Sequence, residues 1–581
     1  MRSILRNSKL QGHNAMVPGA TIPGATIFDP TVLDPSVLSP SVPVPDRQDF
    51  AGSDAMQEVH RRFSRNVGAT IFARVVNMGR GILVVPFLLR HLGLEAYGIW
   101  TTIFILVSYV GLTTLGLSNV YIKYVAEFHA RKEYDRANSL LSTGLCITVP
   151  LCAALFAGFY FSWDWYSPWL RLPPQHAADG KEAVLIVLGV FLSSIALNAF
   201  GDILAGVQQI AATQVFLSIS LLVEFALILW FVGSGRGISG LAEAYLVRIL
   251  LNDGLTIWWS WRKLKWMRIS PRLVRREAIG YVIHFGGVVQ IQTILDIFLT
   301  SVERLIGLTL VGASAAGLMD VAKKWPSAYS TVPMAFFGAL LPATAHVDAA
   351  SNPSERMDNL RALYLNSARF SNLCTAAFVA LTVFWSHAIL LVWLGPELPM
   401  RQTLTTLFVV FSLALQFHML TGPGTSLLRG MGRVYEEFSY TIPNVLLLGI
   451  TLPVAWWLQK GWTALGIGVA VSVATAIAAC GLLARVHHVL GLPMRKFIRL
   501  VLAPSLVPFG TAGLLAWPLA AAVAALGRWM GAGALLVAGV LYLASTSTIL
   551  YRWVFTPAER DRARGMVRSL FSTFLNREVA A

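Results

Sequence analysis

Charge is scarce in this 581-residue chain: Asp, Glu, Lys and Arg together make up 13% of it, against ~25% in a typical water-soluble domain. Such a chain cannot have water as its main solvent. Cysteine is scarce as well. Cys146, Cys152, Cys374 and Cys480 all lie inside apolar runs with no paired or metal-like spacing, so a disulfide framework is excluded and the thiols read as core filler. Catalytic signatures are missing too. No P-loop, HExxH or nucleophile-elbow arrangement occurs, and neither a metal nor a cofactor is expected. Residues 1–52, the bulk of a tail drawn over 1–58, lack helical periodicity, with Pro, Ser, Asp and Val recurring and Pro40, Pro43 and Pro45 close together. They are expected to form a disordered cytoplasmic tail. A signal peptide is not expected, because Gly, Asn, Pro and Asp interrupt every apolar stretch of the required ~7–15 residues.

What the chain has instead is apolar length. Apolar residues are 55% of the total, arranged in successive runs of the ~20 residues that cross a bilayer as a helix. Stretches such as 182–200, 372–394 and 529–551 are apolar on every face, unlike the alternating strands of an outer-membrane barrel. The pattern predicts an all-α polytopic membrane protein with about fourteen transmembrane helices. They fall at 66–89, 97–125, 139–162, 182–209, 213–233, 240–260, 280–304, 316–345, 366–394, 402–429, 436–457, 462–489, 498–524 and 529–553. The eighth is the least regular, interrupted by Lys323, Lys324, Pro326, Pro333 and Pro342.

The formal charge of +16 belongs to topology and not to nucleic acid, because the basic residues sit at span ends. With the N-terminus inside, 28 basic residues collect on the inner side, including seven between Arg262 and Arg276 and six from Arg552 to Arg577. The outer side has eight: Arg90, Arg171, Lys181, Arg236, Arg304, Arg401, Lys460 and Arg528. This is the positive-inside pattern of an even number of spans, with both termini cytoplasmic. Trp163, Trp165, Tyr166 and Trp169 mark an outer interface, and Trp258, Trp259, Trp261 and Trp266 an inner one,.

An internal repeat is visible. Gly93, Ala96 and Gly98 recur as Gly312, Ala315 and Gly317 at an offset of 219, and Gly206, Gly237 and Leu241 recur as Gly430, Gly461 and Leu465 at an offset of 224. The expected organisation is a first six-helix lobe over 59–278 and a second over 279–490, in parallel orientation. Two appended helices over 491–553 and a basic cytoplasmic tail over 554–581 complete it. Parallel repeats with a working site between them are a common plan for alternating access.

Three segments carry a family likeness. They are LLRHLGLEAYGIW followed by GLTTLGLSNVYIKYVAEF (88–128), DIFLTSVERLIGLTLVGASAAGLMDVAK (296–323) and LLRGMGRVYEEFSYTIPNVLLLGITLPVAWW (427–457). Over about residues 66–490 the chain resembles the oligosaccharide flippases of bacterial polysaccharide export, within the multidrug/oligosaccharidyl-lipid/polysaccharide superfamily. The resemblance implies a protein of the bacterial inner membrane that turns a polyprenyl-pyrophosphate-linked oligosaccharide to the outer leaflet for exopolysaccharide, capsule or O-antigen synthesis. It also implies membrane lipids and a polysaccharide polymerase complex as candidate partners. Fourteen helices suit this branch better than the drug exporters, which usually have twelve.

Charges at membrane depth cost ~3 kcal/mol or more unless they face a cavity or a partner, so each needs a reason. Arg74 and Arg80 lie ~12 and ~21 Å from the inner end of the first span at ~1.5 Å per residue. Arg74 shares a face with Asn77. Both arginines are expected to meet an anion in the lumen, structural pairing being the rival reading. In the seventh span Gln292, Asp296, Thr300, Glu303 and Arg304 form a polar stripe,. Its carboxylates would either carry a coupling ion or pair with an arginine across the seam. Asp320 is spaced to neutralise one of Lys323 and Lys324 but not both,. A cationic lumen of Arg74, Arg80, Lys323 and Lys324 would suit a diphosphate headgroup. Asp202, Glu224, Glu243, Arg248, Asp253 and His418 form no constellation in the sequence. The rival functions are a cation-coupled multidrug exporter, opposed by the embedded basic residues, and a membrane polymerase or glycosyltransferase, opposed by the absence of a long outer loop.

Overall fold

The computed structural model describes residues 53–110, 117–170, 177–281, 301–350, 355–396, 400–557 and 560–561. The chain divides into two units, Met1–Arg62 and Phe63–Ala581. In the first, residues 53–62 are helical, so the part of the expected tail from 53 to 58 is helix, and 1–52 lie outside the described residues. Everything below concerns the second.

The fold is all-helical, with no strand among the described residues. In hydrocarbon every backbone N–H and C=O has to be satisfied within its own segment, and the long apolar runs can do that only as helices. The first half comprises α1 (Ser53–Val110), α2 (Leu117–Ala130), α3 (Tyr134–Phe161), α4 (Ala177–Gly206), α5 (Ile210–Gly233) and α6 (Gly237–Lys263). The second comprises α7 (301–310), α8 (Ala313–Ala350), α9 (Arg356–Leu394), α10 (Arg401–Gly430), α11 (Phe438–Gln459) and α12 (Ala464–Leu490). Last comes α13 (Ala503–Ile549). Two of these are pairs of spans joined at a break. Gly93 interrupts α1 at φ 80° and Gly527 interrupts α13 at φ 71°, left-handed values that only glycine adopts without strain,. Helix is found in each of the fourteen expected spans where the chain is described, with Ser162, residues 207–209 and residues 462–463 at span ends falling in turns instead. Ten described helices are long and apolar enough to cross a membrane. The eighth span is one continuous helix of 38 residues despite Pro326, Pro333 and Pro342. Its ion pairs, given below, account for the charge that interrupts it.

Repeat-related positions do the same work in both halves. Gly312, counterpart of Gly93, also turns the chain at positive φ (132°). The helices α4 and α10 stop at the equivalent Gly206 and Gly430, and the turns before α6 and α12 use Gly237 and Gly461, both at positive φ. Packing is tight within each half, α4 on α6 and α5 on α6 in the first, α8 on α10 and α11 on α12 in the second. The broken helix α13 docks on α9. Trp385 Nε1 donates to the Ala512 carbonyl at 2.9 Å and Tyr542 OH to that of Ala377 at 2.8 Å. Arg528, just after the break, reaches the carbonyls of Val392 and Trp393 at 3.1 and 3.0 Å, satisfying two acceptors that the end of α9 leaves unpaired.

Candidate functional site

The two halves come into backbone contact where α1, past its break, meets α8. A Cβ on Gly98 would lie 1.9 Å from the Ala313 carbonyl oxygen, and one on Gly317 would lie 3.0 Å from Gly98 Cα. Two repeat-equivalent glycines thus bring backbone against backbone, the device that lets membrane helices approach without side chains between them. One residue before Gly98, Tyr97 OH donates to Asp320 Oδ2 at 2.6 Å. Across another part of the seam, Trp393 Nε1 donates to the Ile82 carbonyl at 2.8 Å.

Below this contact lies a buried charge cluster. In the first half Glu224 of α5, 3% exposed, is held by Arg80 of α1 and by Arg248 of α6, the latter at 3.3 Å. In the second half Asp320 takes Lys324 at 2.9 Å and Arg304 at 3.0 Å, while Glu303, fully buried, takes Lys323 at 2.6 Å. Ser301 Oγ accepts from Arg304 at 3.1 Å. Lone charges would not survive burial in such a setting, and each carboxylate accordingly has at least one cation. Among the described residues the ion pairs join five cations to three carboxylates, and Asp253, buried within electrostatic reach of Arg248, is a fourth, leaving one positive charge in excess. Arg80 Nε and Arg304 Nε have no hydrogen-bond partner there.

Two cavities flank the cluster. One of about 220 Å³ lies between the halves, lined on one side by Arg80, Tyr97, Glu224 and Arg248 and on the other by Arg304, Asp320 and Lys324. The second, of about 590 Å³, lies within the second half between α8, α10, α11 and α12. Arg304, Asp320 and Lys324 line both, so this triad forms the partition.

Of the residues expected at the site, Arg80, Lys323, Lys324, Glu303, Arg304 and Asp320 come together in this cluster. Arg74 and Asn77 are exposed on α1 and line neither cavity. Gln292, Asp296 and Thr300 lie outside the described residues. Lys323, the lysine that the spacing leaves without Asp320, is held by Glu303, and that pair is contained in the second half and does not cross the seam. Sequence reasoning passed over Glu224, Arg248 and Tyr97. Their partners lie 144 residues away for Glu224 and 223 for Tyr97, so no local spacing could reveal them. The only available signal was that Glu224 and Arg248 are charges inside apolar spans.

No family model matches the chain. Its fold is that of the transporters of the MOP superfamily. A multidrug resistance MATE family transporter in an inward-facing conformation superposes with a TM-score of 0.60 at 14% identity, over 72% of this chain and 94% of that one. The likeness to the lipid II flippase MurJ in an inward closed conformation reaches further, with the same TM-score of 0.60 at 15% identity over 84% of this chain and 98% of that one. A MOP superfamily transporter from Pyrococcus furiosus, described as having a binding pocket of reversed polarity that suggests a different function, gives a TM-score of 0.52 at 15% identity over 74% and 95%. In sequence, an uncharacterized membrane protein, EpsK of Bacillus subtilis, is 19% identical over 337 residues, 58% of this chain. The match spans 66% of that relative's own length, just under two thirds. The solved structures of this fold named here are transporters and a flippase.

Proposed function

We propose that the protein is a flippase that carries a polyprenyl-diphosphate-linked oligosaccharide across the bacterial inner membrane, from the cytoplasmic to the outer leaflet, by alternating access between its two halves. The observation that carries this reading is the positive excess of the buried cluster. A diphosphate brings opposite charge and many acceptor oxygens, and lysine and arginine supply charge-assisted donors to them while the prenyl chain remains in lipid. Cationic drugs would meet repulsion at the same place. The family resemblance supports the same substrate class, and the fold, shared with a protein named as a lipid II flippase, suits it. Charge asymmetry between the loops supports placing both termini in the cytoplasm.

Geometry supplies the moving parts. Asp320 is shared by Tyr97 across the seam and by Lys324 and Arg304 on its own side. A phosphate that draws Lys324 and Arg304 away from Asp320 weakens the polar tie that holds the halves together at Gly98 and Gly317. Binding and opening are then coupled through one carboxylate, as differential affinity for two states requires.

Reconstitution in vesicles with a labelled polyprenyl-diphosphate oligosaccharide tests the reading by following exposure in the opposite leaflet. Lys324→Ala and Arg80→Ala are each expected to slow it about tenfold or more, the loss expected for hydrogen bonds to charged groups. Rates equal to native in both variants would remove the cationic site from the mechanism. A native protein that moves no lipid but exports a cationic dye would identify a drug exporter instead.

A further inference from the structure

The cavity inside the second half differs in chemistry from the charge cluster beside it, and the internal repeat shows how. At the 224-residue offset Glu224 corresponds to Leu448, Arg248 to Ser472 and Ser220 to Asn444. Where the first half is filled by an ion pair, the second has an aliphatic side chain and two neutral polar ones, and it has open volume. Asn444 and Ser472 are 3% and 7% exposed, yet both line this cavity. The Ser472 hydroxyl is buried without a hydrogen-bond partner, an arrangement that native interiors avoid unless something else completes it. Around them stand Ser330, Thr475 and His418, whose Nδ1 lies 2.9 Å from Tyr440 OH. Phe411 and Tyr440 add ring surface to the same walls. Among the described residues the carboxylate that lines the cavity is Asp320, at the end that Arg304, Lys323 and Lys324 also line, and Asp320 is already paired twice.

Hydroxyls, an amide and an imidazole interleaved with aromatic rings complement a polyhydroxylated group with polar edges and C–H faces. We infer that this second-half cavity is the subsite for the sugar attached directly to the diphosphate, whose phosphate oxygens would meet Arg304 and Lys324 where these line both cavities. The inference rests on reading the charge cluster as the diphosphate site. At about 590 Å³ the cavity falls within the ~300–1,000 Å³ of ordinary small-molecule sites, roomy enough for the first sugar.

Two labelled lipids, polyprenyl diphosphate alone and polyprenyl diphosphate bearing one N-acetylhexosamine, distinguish this subsite from the phosphate site when both are assayed on the same vesicle preparation. The native protein is expected to move the sugar-bearing lipid faster. Asn444→Leu combined with Ser472→Ala should slow that lipid about tenfold, as lost hydrogen bonds of ordinary strength predict, and leave the bare carrier unchanged. The bare-carrier rate thereby serves as the folding control, and Ser472→Ala alone provides a milder variant with a smaller shift in the same direction. A native protein that moves both lipids, with variants that keep its full sugar preference or slow both lipids equally, overturns the subsite and leaves the proposed function standing. A native protein that moves neither lipid overturns both.

Discussion

Glu224 and Asp320 do comparable jobs with unequal reserves. Glu224 has two arginines on two helices, so Arg80→Ala still leaves Arg248 beside it at 3.3 Å. Glu224→Gln strands both guanidinium groups in a half-buried site at once. Removing one partner of a buried pair costs ~3–5 kcal/mol, and Glu224→Gln is therefore expected to lower the unfolding temperature of the detergent-solubilised protein clearly more than Arg80→Ala does. Equal losses would argue that Arg248 does not share the carboxylate. Tyr97→Phe has a narrower effect. It deletes a single donor to Asp320 across the seam, worth ~0.5–1.5 kcal/mol of the closed arrangement, and a cysteine placed at Thr101 should then react several-fold faster with a membrane-impermeant thiol reagent. Pairs such as Asp320 with Lys324 were legible in the sequence because they sit four residues apart on one helix. Arg80 with Glu224, and Lys323 with Glu303, were not, since only tertiary packing makes them neighbours.

Helices carry their own instructions in this chain wherever a bilayer-length apolar run meets a glycine that turns. Gly93, Gly312 and Gly527 mark breaks that the apolar pattern located to within a few residues. The role of Gly98 was hidden, because the repeat showed only that it had a counterpart, not that the two would touch. With Ala313 O 1.9 Å from its absent Cβ, Gly98→Ala should prevent the close approach of α1 to α8. The expected outcome is near-native helical content by circular dichroism together with loss of transport. At the far end of the molecule, Arg528→Ala removes the donors to the last carbonyls of α9. A loss of ~1–3 kcal/mol follows from leaving buried acceptors unsatisfied, and limited proteolysis near residue 527 should accelerate while the bare-carrier flipping rate changes little.

On the scale of the whole molecule, hydrophobic length and loop charge determined most of what could be read in advance: an all-helical fold, the helix positions and a doubled plan. The bilayer makes that reading dependable, because it permits so few backbone solutions. The functional centre was legible only in part, since the excess of positive charge emerges from counting across both halves. The appended pair of spans has a testable place in this plan. Ending the chain after residue 491 would bare Ala380, Trp385 and Ala388, now 0%, 3% and 4% exposed, and the shortened protein is expected to insert but to melt earlier in a fluorescence-detected thermal scan. The meeting of Gly98 with Gly317 has a bearing on ancestry. A gene half as long, encoding a chain that paired with its own copy, would have set that one glycine on the two-fold axis, facing itself, as an isologous dimer does. Fusion of two such genes would leave this self-recognition written as two separate codons, neither able to gain a side chain without the other half feeling it.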